Sequence, residues 1–180
     1  YEKDRYPAIT CCHGSPLSTR ELLLVEQDNT KTWLDTIDTE YLLCAHTHFT
    51  GEMEHHGKHY YNSGCVGIAI NDCGFAQCMI LEDDTENGKT AWNPIFLKIS
   101  YDNKKVVEDD IRKSGLLDKA PWFINSNIQI LLTGIDHSAE MVALASEKAT
   151  EADKEAVWPR IDEKYFEEAA GEVGVPDYRG

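Results

Sequence analysis

Three histidines stand out for the chemistry that their positions permit: His13, His46 and His48. His46 and His48 form an H-x-H, and on extended backbone residues i and i+2 point to the same side, so both imidazoles can face one metal cluster. Neutral imidazole ligates zinc, manganese, iron and nickel. A single histidine at a strand end reads as a polar cap bonded to a loop. Three of them, each beside glycine or threonine, read as a metal site. Other metal signatures are excluded: there is no H-E-x-x-H and no paired C-x-x-C. An H-x-H-x-D-H would need Asp and His where Thr50 and Gly51 stand.

The elements that must position these residues are legible as short apolar runs. Residues 7–12 (PAITCC) are β-branched and apolar and stop at His13-Gly14, and residues 40–45 (EYLLCA) stop at His46, so two strands deliver histidines at their C-terminal ends. Between them, Ser18 and Glu21 form a capping box before LLLVE, which predicts a helix there. A second helical patch follows at Trp33, Leu34 and Ile37. GEMEHH, Gly57-Lys58 and HYYNSG predict a β-hairpin. Residues 67–70, 76–81 and 95–100 are further strands, the last two joined by the turn-rich DDTENGKT. From Lys104 onward the period is helical, through VVEDDIRKSGLL, IQILL up to Gly134, a stripe of Met141, Leu144 and Ala145, and a last segment with Val157, Ile161, Tyr165, Phe166 and Ala169. The expected division is an α/β unit over residues 1–103 and a helical extension over residues 104–180.

The 180 residues suit one domain with a small appendage and fall short of the about 250 of an eightfold α/β barrel. With 42% hydrophobic and 27% charged residues the chain has the composition of a folded protein. Asp and Glu number 32 against 17 Lys and Arg, a net charge of −15 spread over both halves. Such a surface repels nucleic-acid backbones and anionic membranes. An anionic substrate must then meet a local positive charge, which a bound metal supplies. No apolar run approaches the roughly 20 residues of a membrane span. The six cysteines are too sparse for a disulfide scaffold, so all are expected reduced and the protein cytoplasmic.

The order HGSP, a helix, a strand into AHTHF, a hairpin and NSGCVG closely resembles the second half of the calcineurin-like metallophosphoesterases, the small bacterial phosphodiesterases above all. That family carries a strand-end His-Gly, then Gly-His-x-His, then Asn-Pro-Gly-Ser-Val-Gly. Here Ala45 replaces the glycine, Ser63 the proline and Cys65 the serine. The resemblance covers residues 7 to 115. It implies part of a four-layer α/β/β/α sandwich with a C-terminal helical appendage, and a hydrolase acting on a phosphate ester. It also implies two divalent metal ions (Mn, Fe, Ni or Zn). His13 and His46 would bind one metal and His48 the other, with His46 and His48 catalytic and Asn62, Gly64 and Cys65 shaping the substrate loop.

The family's Asp-x-His, Gly-Asp-x-x-Asp and Gly-Asn-His-Asp/Glu motifs do not occur in the 180 residues. Together with a start at Tyr1, their absence leads to the expectation that a separate N-terminal segment completes the site, or that those ligands were cleaved or lost. The chain alone is then inactive. The rival reading is a non-catalytic scaffold of the same fold that binds protein partners, as in trafficking complexes. A third reading is a thiol enzyme on Cys65, which otherwise serves as a small packing residue, as Cys11, Cys12 and Cys44 do in their strands. His55, His56 and His59 read as a solvated hairpin tip, because adjacent strand residues point to opposite faces. The apolar stripe of the C-terminal helices reads as core or as a face for a second copy of the chain. Trp122, Phe123 and Trp158 are candidates for a lid.

Overall fold

A computed structural model describes residues 6–86, 89–152 and 160–179. The chain divides into two compact units, Tyr1–Ala69 with Phe75–Ser100 and Ile70–Gly74 with Tyr101–Gly180.

The first unit is mixed α/β. Its main sheet has the order β1-β2-β4-β3, built from β1 (Ile9–Cys11), β2 (Tyr41–Cys44), β3 (Thr50–His55) and β4 (Lys58–Ser63). β1, β2 and β4 are parallel, in a register that sets Cys11 beside Leu43 and Cys44 beside Asn62; β3 returns antiparallel to β4. A parallel strand between two neighbours is covered on both faces. Tyr41, Leu42 and Cys44 of β2 are accordingly all buried. On edge strand β3 the charged Glu52 and Glu54 alternate with buried Met53, which discourages edge-to-edge pairing. Helix α1 (Asp28–Thr36) buries Leu34 against Leu23, Leu42, Cys44, Met53 and Tyr60. Each fully buried side chain of this size stabilises by about 1.5–3 kcal/mol. β5 (Phe75–Glu86) and β6 (Lys89–Ser100) form a separate antiparallel hairpin.

Four expectations fail for physical reasons. No helix forms at residues 18–25. Glu21 instead accepts from Trp33 Nε1 at 3.0 Å and Asn29 Nδ2 at 3.4 Å, while the Leu23 and Leu24 carbonyls take hydroxyls from Tyr60 and Thr30. These carbonyls are spent on tertiary bonds. Residues 67–70 form a loop without ladder partners, and the Ile68 N–H points at Cys65 Sγ. The DDTENGKT stretch is mostly strand, with pairing running out to Glu86 opposite Lys89. Strand β1 begins only at Ile9, because the Pro7 carbonyl is taken by Trp92 Nε1 at 3.1 Å.

The second unit is helical: α2 (Asn103–Lys105), a π turn at Val106–Ile111, a 3-10 turn at Arg112–Ser114, then α3 (Leu116–Lys119), α4 (Pro121–Thr133), α5 (Ser138–Ala152) and α6 (Glu163–Val173). Its core joins Trp122, Met141, Ala145, Ile161, Phe166 and Ala169. Trp122 is therefore a core residue of its own unit and no lid; Phe123 is exposed, and Trp158 and Val157 lie outside the described residues. The C-terminal segment is clasped onto α4: Tyr178 N donates to buried Asn125, and Arg179, paired with Asp177, lies 5.1 Å from the Trp122 ring. No helix among the described residues is long and apolar enough to cross a membrane.

Candidate metal centre

Parallel pairing of β1 and β2 brings their C-terminal ends to one edge of the sheet. Beyond the strands the pairing continues, with Cys12 N to the Leu43 carbonyl at 3.0 Å and Ala45 N to the His13 carbonyl at 2.9 Å. This places the His13 and His46 rings 4.8 Å apart between centroids, inclined at 52°. His46 and His48 both adopt left-handed backbone, at φ 67° and 60°. That conformation is uncommon for residues with a side chain and gathers at functional sites. The strain has a visible support. Asn62, on β4 and 1% exposed, donates from Nδ2 to the Ala45 carbonyl at 2.8 Å and to Thr47 Oγ1 at 3.0 Å. Its Oδ1 accepts from Gly64 N at 3.0 Å. Both ends of the Asn62 amide are thus used to tie the His46-Thr47-His48 turn to the loop after β4.

Gly64 is at φ 78°, and a Cβ there would come within 2.2 Å of Gln77 Oε1. That oxygen in turn accepts from Cys65 N at 3.2 Å. Burial raises the Cys65 thiol, but hydrogen bonds from His48 and from the Ile68 and Gly67 amides outweigh it and hold the thiol below its ordinary value. The link between His48 and Cys65 is invisible in sequence. Only the closure of the 64–68 loop creates it.

Burial lowers the pKa of His46, and its neighbours His13 and His48 add to the effect; a hydrogen bond to the Arg20 backbone opposes it. An acceptor at one ring nitrogen favours the protonated ring and fixes the tautomer, which leaves the other nitrogen's lone pair outward. His13 and His46 thus stand together at one edge of the sheet, with His48 two residues on in the same turn. Cys12 and Cys44 sit side by side below the histidines, Sγ to Sγ at 3.4 Å, and all six cysteines are free.

The hairpin histidines behave otherwise than strand alternation predicts. His56 takes φ 51° and Gly57 φ 75° in the two-residue turn, so the alternation breaks and the His55 and His56 rings stand 4.0 Å apart on one side. Both reach Asp35 of α1, at 3.3 and 2.9 Å. These hydrogen bonds, His56's first, hold the Asp35 carboxyl below its ordinary value despite a desolvation effect. His59 takes no part and stacks on Tyr41 at 4.9 Å. Among the described residues, Asp35, His55 and His56 are the group whose three donor atoms lie within 4.8 Å of one another.

No family model matches the chain, and no curated protein matches it either. Several solved structures are similar. A hypothetical protein of Pyrococcus horikoshii OT3 is 20% identical with a TM-score of 0.54, the match covering 71% of this chain and 47% of that one. A metallophosphoesterase from Sphaerobacter thermophilus is 18% identical with a TM-score of 0.52, covering 71% of this chain and 56% of that one. The chain spans about half the length of these structures. Over the matched residues its fold is similar to that of a metallophosphoesterase.

Proposed function

We propose that the chain supplies the C-terminal ligands of a metal-dependent phosphoesterase acting on a phosphodiester. The observation that carries this reading is the pair His13 and His46, set ring against ring by parallel strands, with His46 and His48 held in left-handed backbone. His13 and His46 would hold one divalent cation and His48 a second. When bound, such cations lower the pKa of water and neutralise phosphate charge; manganese, iron, nickel and zinc all accept imidazole ligands.

The chain's own residues supply preorganisation. Asn62 fixes the H-x-H turn, so the imidazoles need no reordering when a ligand arrives. Burial favours the neutral form of the His46 ring, which is the form that carries a lone pair for a cation. Gly64 lets the loop pass close to Gln77, and Cys65 packs beside His48, where the loop can line a phosphate-ester pocket. The remaining ligands, carboxylates included, would come from a segment outside these 180 residues. Six free thiols suit the reducing cytoplasm.

The test is hydrolysis of bis(p-nitrophenyl) phosphate with added manganese by protein that includes the segment bearing the carboxylates. The reading expects manganese-stimulated turnover that His46→Ala reduces at least about a hundredfold, the scale seen when metal-site groups are removed. Turnover unchanged in His46→Ala would refute it. A protein without turnover or bound metal would favour the scaffold reading. Activity that survives chelators and dies on alkylation would favour Cys65.

A further inference from the structure

The sheet carries a second arrangement of ligand-type side chains at its other end. Asp35 sits in the last turn of α1, and His55 and His56 close the β3–β4 hairpin. The hairpin turn lies beside the start of β2, since His59 pairs with Tyr41. The strand-end histidines follow the finish of β2, so the two places are separated by the length of that strand, roughly 10 Å.

We propose that Asp35, His55 and His56 form a metal site of their own, taking one divalent transition cation of the zinc, nickel or copper class. Each nitrogen facing the carboxylate, His55 Nε2 at 3.3 Å and His56 Nδ1 at 2.9 Å, is a ligating atom. Around a cation with ligands at about 2.0–2.2 Å, adjacent donors stand about 3–3.5 Å apart, so these separations are already close to the edges of a coordination polyhedron. Two imidazoles and one carboxylate form a borderline donor set, which suits zinc, nickel and copper and not magnesium or calcium, which prefer oxygen. Two cations near in sequence or register are engaged elsewhere, Lys58 with the Ile37 carbonyl and Lys31 with Glu26. The His56 side chain is 76% exposed, which leaves further coordination positions to water. The chain's negative charge favours cation approach.

The three residues come from a helix and a hairpin about twenty positions apart in sequence. A cation here would cross-link α1 to β3–β4 and stabilise the folded unit by mass action, since the unfolded chain presents no such cluster. The site is independent of the phosphoesterase reading.

The experiment is calorimetric titration of tag-free, chelator-stripped protein with zinc chloride, for the wild type and for His56→Ala, Asp35→Asn and His46→Ala. The site predicts one equivalent bound by wild type and by His46→Ala, and at least tenfold weaker binding in His56→Ala and Asp35→Asn. The exposure of His56 makes its replacement harmless to folding, and circular dichroism checks this. If zinc binding is absent in wild type, unchanged in His56→Ala, or lost in His46→Ala alone, the assignment is wrong. In a heteronuclear spectrum, zinc should shift His55 Nε2 and His56 Nδ1 while leaving His59 in place.

Discussion

Asn62 Nδ2 donates to Thr47 Oγ1 at 3.0 Å, and Thr47 is the residue between the two histidines of the H-x-H. Asparagine on one strand thus sets the backbone of a turn on the next. The link runs from sequence, through register, to the direction in which two imidazoles point.

Replacing Asn62 by Ala leaves the half-buried Ala45 carbonyl without that donor and releases the turn. The expected loss is about 1–3 kcal/mol of stability, read as a lower urea midpoint. The His46 and His48 resonances should also broaden as the left-handed backbone relaxes. A variant with wild-type stability and unchanged histidine signals would remove Asn62 from its positioning role.

Gly64→Ala tests the loop. Left-handed backbone costs a side chain about 1–2 kcal/mol, and the new Cβ must displace Gln77 Oε1 from the Cys65 amide. The sum should reach about 2–3 kcal/mol. Gln77→Ala alone should cost less, because it removes the bond without forcing φ. Equal losses in the two variants would mean that backbone conformation contributes nothing at this position.

Asp177 gives a pH signature in the helical unit. Hydrogen bonds from the Arg179 side chain, then from its backbone, hold the carboxyl well below its ordinary 3.8. A folded-state pKa that is depressed gives stability that is full above the unfolded value and lost as pH falls through the folded one. The difference in unfolding midpoint between wild type and Asp177→Asn should therefore be constant at neutral pH and narrow progressively as pH falls below 3.8. The group is exposed, so the difference is small and salt should shrink it. A gap as large at pH 2 as at neutral pH would assign the effect to the amide's geometry and not to charge.

What the sequence made legible follows from how the information is stored. Residues 40–45 and the hairpin were readable because burial on a sheet writes itself as an apolar run or as alternation, with glycine at the turn. His13 and His46 each follow such a run, which makes their place just beyond the ends of β1 and β2 legible. Glu21 was misread because a capping box and a tertiary acceptor for Trp33 use the same residue type. Strand alternation sends His55 and His56 to opposite faces because it presumes extended backbone, and His56 is not extended. The roles of Asn62 and of the neighbours of Cys65 depend on register between strands, which no local pattern carries.

The measurement closest to the central claim is metal content by elemental analysis of the protein together with the segment that supplies the carboxylates, made in a His56→Ala background so that the hairpin site does not contribute. The account predicts about two metals per chain, falling to one or none with His46→Ala. A folded protein that retains no metal, or retains the same amount without His46, would contradict it.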